Sequence, residues 1–233
     1  MTLGKVMRLL DTFCGAGGAA VGYHRAGFEV VGVDIAPQPH YPFEFHLGDA
    51  LAYIRGHGHE FDVIHASPPC QRFSEATPVE YRDAHPDLIT PTRALLQEIG
   101  KTYVIENVEG ARSALVKPVM LCGTMFGLPI WRHRYFEIWP YWFLSPATCK
   151  HHRRPITVHS GSHTRKTWEP VLCTGGGDGK RAKRKTFRPR ESVAVVRWAM
   201  GIDWMTQAEL SQAIPPAYTF WIGSQLMNIL RAK

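Results

Sequence analysis

This sequence predicts an α/β fold, a doubly wound and mainly parallel sheet, and three features predict it. From Val6 to Trp139, short apolar runs alternate with stretches of helical character. A glycine-rich turn joins the first run to the first helix. Successive runs end in reactive or polar residues, namely Asp11, Asp34, Asp49, Cys70 and Glu106. Open parallel sheets bind ligands outside the carboxyl ends of their strands, so these residues are expected to converge on one site.

Taken in order, Val6 to Leu10 is the first predicted strand, Asp11-Thr12-Phe13-Cys14-Gly15-Ala16-Gly17-Gly18 the turn, and Ala19 to Ala26 a helix closed by Gly27. Phe28 to Val33 forms the next strand. Asp34 follows it, about twenty residues after the turn, as in nucleotide-binding units. An adenosine-type ligand is therefore expected: glycines let the backbone approach it, and a carboxylate can accept both ribose hydroxyls. Gly15 to Ala20 also fits the loose G-x-G-x-x-A dinucleotide pattern. Asp11 would repel a pyrophosphate bound there, which argues against NAD and for a cofactor with a cationic or amino group, such as S-adenosyl-L-methionine.

Ala50 to Arg55 is predicted helical, Gly56 to His59 a turn, and Phe61 to His65 a strand feeding Ala66-Ser67-Pro68-Pro69-Cys70-Gln71-Arg72-Phe73-Ser74. Two prolines stiffen that loop and present Cys70 rigidly. A thiol needs a cationic neighbour, a helix N-terminus or a base to become a reactive thiolate, and Arg72 stands close in the chain. Read in isolation, the same cysteine is equally a small buried hydrophobe. A helix is expected from Thr90 as N-cap and Pro91 as first residue through Ile99, ending at Gly100. Tyr103 to Ile105 is a strand leading into Glu106-Asn107. Arg132 to Trp139 alternates like a late strand, with Arg132 and Arg134 on one face, suited to a phosphate or carboxylate or to the rim. Helices are expected again from Glu191 to Ala199 and, introduced by Pro215-Pro216, through Leu230.

The net charge of +7 is unevenly placed. Residues 141–190 carry twelve Lys and Arg against two acids, whereas the remainder has fifteen against eighteen. A localised basic excess suits a polyanion, most simply nucleic acid. Three parts are expected: 1–139 as catalytic and cofactor-binding domain, 140–186 as a small target-recognition segment, and 187–233 as helices returning to the catalytic domain. No apolar run is long enough to cross a bilayer, and a cytoplasmic protein without membrane contact is expected. Five scattered cysteines suit a reducing compartment. Cys149, His151, His152, His159, His163 and Cys173 match no common zinc spacing, so no metal is expected there; Cys14 and Cys122 read as packing residues.

With these residues assembled, the chain resembles the DNA cytosine-5 methyltransferases in a compact phage or bacterial form. The cofactor turn from Asp11 to Gly18, Pro69-Cys70-Gln71 with Phe73-Ser74, and Glu106-Asn107-Val108 are similar to that family's motifs in order and spacing. Ile130-Trp131-Arg132-His133-Arg134 keeps both arginines of a family strand and lacks its glutamine. Ser211-Gln212-Ala213-Ile214-Pro215-Pro216 departs from the usual Gly-Asn-x-Val-Pro. The resemblance implies a Rossmann-like fold and S-adenosyl-L-methionine as donor, held by Asp11, Phe13, Gly15, Gly17, Gly18, Asp34, Ile35, Asp49, Ala50 and Pro68. It implies catalysis by Cys70, Glu106, Arg132 and Arg134. Substrate contacts are expected from Gln71, Ser74, Asn107, Lys180, Arg181, Lys183, Arg184 and Lys185. The expected partners are double-stranded DNA, whose target base must flip out to reach Cys70, and a cognate restriction endonuclease, with the protein a monomer. A DNA-binding protein without turnover, an enzyme acting on RNA or a free nucleotide, and a nicotinamide oxidoreductase are the competing readings.

Overall fold

A computed structural model describes residues 5–74, 77–141, 143, 145–151 and 192–232. Seven strands form one sheet: β1 Arg8–Thr12, β2 Glu29–Asp34, β3 Glu44–Leu47, β4 Val63–Ala66, β5 Thr102–Asn107, β6 Val119–Leu121 and β7 Arg134–Trp139. Their spatial order is β3-β2-β1-β4-β5-β7-β6. The first five run parallel, while β7 is antiparallel to both of its neighbours. Strand order reverses between β1 and β4, so a crevice is expected at their carboxyl ends.

Alternation along each strand divides the core in two. Leu9, Val63 and Val104 face one layer, in which helix α1 (Gly18–Arg25) packs against the C-terminal helix α7 (Pro216–Arg231). Leu10, Ile64, Tyr103 and Ile105 face the other, with α2 (Ala50–His57) and α4 (Ile89–Ile99). A short helix, α3 (Val79–Arg82), precedes α4. Helices α5 (Val193–Met200) and α6 (Gln207–Gln212) build a third cluster around Met200, Met205 and Leu210, against Ile130 and Ala16. Among the described residues, no helix is long and apolar enough to cross a membrane.

Several boundaries differ from expectation. β1 reaches Thr12 because Asp11 pairs in register with Gly32 of β2 and His65 of β4, which places its carboxyl inside the sheet. Thr90 is not the cap of α4: Asp87 accepts from the Ile89 N–H at 2.9 Å, and Thr90 donates its own hydroxyl to Asp87. An aspartate two residues before the helix start competes successfully for these donors. Arg132 lies before β7 and does not share a strand face with Arg134. Residues 152–191 lie outside the described residues, and with them Lys180, Arg181, Lys183, Arg184 and Lys185.

Candidate active site

The glycine turn leaves β1 through Phe13, whose φ of 56° is unusual for a bulky side chain and marks local strain. Gly15 follows at φ 49°, where a Cβ would be strained; it would meet no atom within 4 Å, so open space lies beside this turn. Asp34 holds the turn from the next strand. Its Oδ2 accepts from the Gly15 N–H at 2.9 Å and its Oδ1 from the Ala36 N–H at 3.0 Å. Gly17 caps α1, and Gly18 begins it against the Ile214 backbone. Ile35 is exposed, and Ala50 is buried at the start of α2. Asp49 caps α2 by accepting from the Ala52 N–H at 2.8 Å.

Asp11 is 1% exposed. Tyr41 donates to its Oδ2 at 3.5 Å, while Oδ1 has no hydrogen-bond partner among the described residues. Burial pushes this carboxyl well above the usual range, the Tyr41 bond opposes that, and Asp34 and Glu106 add to it. A buried acid with an unmatched oxygen, next to open space and a glycine turn, suits a ligand bearing an amino or cationic group. Asp11 and the glycine turn therefore fit S-adenosyl-L-methionine chemically.

Cys70 and Glu106 meet because their strands are neighbours. Ala66 of β4 pairs with Ile105 of β5, so the loop after one strand and the glutamate ending the other share an edge. The Cys70 carbonyl accepts from Phe73 and Ser74 N–H groups in a tight turn. Gly110 lets that turn approach the segment after β5, since a Cβ there would lie 2.0 Å from the Phe73 carbonyl oxygen. Asn107 fastens the same loop. It is buried, donates to the Pro68 carbonyl at 2.9 Å and accepts from the Val108 N–H, so its amide faces inward and not toward a substrate. Gln71 is exposed and Ser74 half-buried.

Burial pushes the Cys70 thiol up; Arg134 pulls it down, Glu106 pushes it up again, and Arg132 pulls it down. These cations come from the β7 side. Arg72, nearer in sequence, turns to the His85 carbonyl at 3.2 Å and to Asp83 at 3.5 Å. Glu106 is 6% exposed, and its Oε1 lies 3.1 Å from Arg134 Nε. Burial raises the Glu106 carboxyl, against Arg134, a Ser67 hydrogen bond and Arg132. Arg132 is fully buried: its Nη2 donates to the Ser211 carbonyl at 2.7 Å, and its own carbonyl accepts from Tyr218. It braces the C-terminal segment against the sheet.

Sequence reasoning passed over what lies behind Glu106. His65, buried in β4, joins Tyr23 through Nδ1 and Ser67 through Nε2, each at 2.9 Å. Ser67 in turn bonds Glu106. Burial lowers His65 to about 3, so it is a neutral relay between two hydroxyls. The only sequence signal was a histidine within an apolar run.

A second cluster involves residues read separately in the sequence. Cys122 is buried as a packing residue is, and it also faces His151 and lies near Cys149. Together with His133 they bring four ligand-type atoms within 4.8 Å of one another. His152, His159, His163 and Cys173 lie outside the described residues.

The strand order, the glycine turn at β1 and the polar groups along the carboxyl edge define a Rossmann-like fold of the S-adenosylmethionine-dependent methyltransferase class. Within that class, residues 7–121 match the family model of C-5 cytosine-specific DNA methylase. Over 118 residues the chain is 31% identical to the Type II methyltransferase M.XorII of Xanthomonas oryzae pv. oryzae, covering 43% of this chain and 28% of that protein. It is 29% identical over 161 residues to the Type II methyltransferase M.HgiDI of Herpetosiphon aurantiacus, covering 57% and 52%. The chain thus spans about half or less of the length of these curated relatives. The crystal structure of S. pombe Dnmt2 methyltransferase aligns over 97% of this chain and 99% of that one, with a TM-score of 0.57 and 15% identity, a likeness of fold. The match to this family model implies S-adenosyl-L-methionine as methyl donor.

Proposed function

We propose that this protein methylates carbon 5 of cytosine in double-stranded DNA through a transient covalent bond to Cys70. The observation that carries the reading is the juxtaposition of Cys70, buried Glu106 and Arg134 at adjoining strand ends. Cytosine carbon 5 is a weak nucleophile, and adding a thiolate at carbon 6 makes it an enamine-like one. Cys70 gives its proton to water and attacks as the thiolate, which the neighbouring Arg134 charge favours. Electrons then move toward ring nitrogen 3, where Glu106 holds a proton that its burial helps it retain. Arg134 keeps Glu106 oriented and offsets negative charge. S-adenosyl-L-methionine, when bound by Asp11, Phe13, the Gly15 turn, Asp34 and their neighbours, supplies the methyl group. Loss of the carbon 5 proton to water, departure of Cys70 as thiolate and return of the nitrogen 3 proton to Glu106 restore the aromatic ring.

The loop of Cys70 lies at a surface edge, so the base must leave the duplex to reach it. The basic residues of 141–190 grip phosphates, giving salt-sensitive binding and few base contacts. The Type II methyltransferase relatives fit a place beside a restriction endonuclease, and the enzyme acts as a monomer in this reading. The test offers labelled S-adenosyl-L-methionine with duplex DNA, RNA or dCMP, and a duplex carrying 5-fluorocytosine. Label is expected in duplex DNA, and the fluorinated duplex should give a denaturant-resistant adduct that Cys70→Ser abolishes. Methyl transfer by Cys70→Ser would refute the covalent route.

A further inference from the structure

The Cys122, His133, Cys149 and His151 cluster lies outside the proposed methylation chemistry. Cys122 follows β6, His133 stands just before β7, and Cys149 and His151 come from the stretch entering the basic segment. His133 Nε2 is 3.3 Å from His151 Nε2, and Cys122 Sγ is 3.4 Å from the same nitrogen. Two imidazole nitrogens facing each other cannot both donate, and 3.3 Å is long for a hydrogen bond between them. A tetrahedral zinc ion with ordinary bond lengths requires about 3.3 Å between two nitrogen ligands, about 3.6 Å between nitrogen and sulfur and about 3.8 Å between two sulfurs. The His133–His151 and Cys122–His151 separations are close to the corresponding edges of such a tetrahedron, and all four ligand atoms lie within 4.8 Å of one another.

The surroundings also suit a metal. His133 turns its other nitrogen, Nδ1, toward Glu109 at 3.8 Å, the carboxylate–histidine arrangement that orients a metal-bound imidazole. Cys122 Sγ lies 3.4 Å from the Thr124 hydroxyl, and that hydroxyl oxygen accepts from the Lys150 N–H at 3.0 Å. Trp131 stacks on His151 with ring centroids 4.4 Å apart, which fixes the ring's plane. Cys122 and His133 are buried and Cys149 is half-buried, so the cluster is partly shielded from water. Two thiolates and two imidazoles with no open carboxylate are the donor set of a structural zinc site, not a magnesium or calcium site.

We propose that Cys122 Sγ, His133 Nε2, Cys149 Sγ and His151 Nε2 bind one structural zinc ion, which fastens the start of the basic segment to β6 and β7. Binding requires loss of the two thiol protons and leaves zinc's charge balanced by two thiolates. The ion would fix residues 149–151 beside His133, the chain neighbour of Arg134, and so set where the phosphate-gripping segment leaves the catalytic sheet.

The test uses the full-length chain, freed of any affinity tag, incubated with Zn²⁺ and dialysed before metal analysis. About one zinc per chain is expected, as a four-ligand site requires. Reconstitution with Co²⁺ should give intense tetrahedral ligand-field bands and thiolate-to-cobalt charge transfer. Cys149→Ser/His151→Ala should lose zinc, and the surface variant His57→Ala should keep it. If the double variant does not fold, the cobalt spectrum of the unaltered protein decides. Wild-type protein that takes up no zinc, gives a pale octahedral cobalt spectrum or forms a Cys122–Cys149 disulfide instead would overturn the proposal, as would full zinc retention by a folded double variant. None of these readouts depends on methyl transfer.

Discussion

The strand-end site and the cysteine–histidine cluster share the β7 approach, yet they are built in opposite ways. Cys70, Glu106 and Arg134 hang from β4, β5 and β7, whose register fixes them: Ala66 opposite Ile105, and Glu106 opposite Phe136. Hydrogen-bonded ladders and a buried apolar core hold that arrangement whether or not a ligand is present. The cluster takes Cys149 and His151 from irregular chain, with few ladder bonds to hold them. The contrast teaches that the sheet preorganises chemistry, whereas a loop-built constellation depends on its ligand for its geometry.

That contrast can be broken in graded ways. Glu106→Gln should lower methyl transfer about 10²- to 10⁴-fold, the usual weight of a positioned proton donor, while zinc content stays unchanged. Steady-state rates and metal analysis on one preparation check both halves. Asn107→Ala frees the buried Pro68 carbonyl and should destabilise the protein by about 1–3 kcal/mol in urea unfolding. Unaltered stability would mean that the cysteine loop is held by other contacts.

Ser67→Ala should cost about tenfold in rate, one hydrogen bond to Glu106. It also moves a pH profile. The Ser67 bond lowers Glu106, so its loss raises that carboxyl further, and the alkaline fall of activity should shift to higher pH. A rate loss with an unmoved profile would leave Ser67 a purely structural residue.

The smallest effect is a slope. Burial raises Asp11, so its contribution to stability is full below the ordinary aspartate range and is lost as pH rises through its native value. Asp11→Asn has no such loss, and the difference between the two proteins should move in the variant's favour as pH increases. Parallel curves in unfolding of the ligand-free proteins would contradict this.

Much of the strand-end site was legible because its signals are local. A glycine turn after an apolar run, a carboxylate ending the next run and a proline-stiffened cysteine each declare themselves within a few residues. Arg72 misled because nearness along the chain was mistaken for nearness in space; the cations at Cys70 come from the far side of β5. Arg132 misled because the strand was begun two residues early, which hid its bond to the Ser211 carbonyl. His65 and Ser67 carried no pattern of their own, since a buried relay is recognised by its partners and those lie on other strands.

The sequence alone determined the layering, the parallel order of the first strands and the residues that end them, because period-two alternation and turn chemistry are written in contiguous residues. Only the tertiary structure decided that Cys122 and His133 meet Cys149 and His151. Their spacing matches no repeating pattern, and it is the antiparallel return of β7 beside β6, with the following stretch folding back over it, that brings them together.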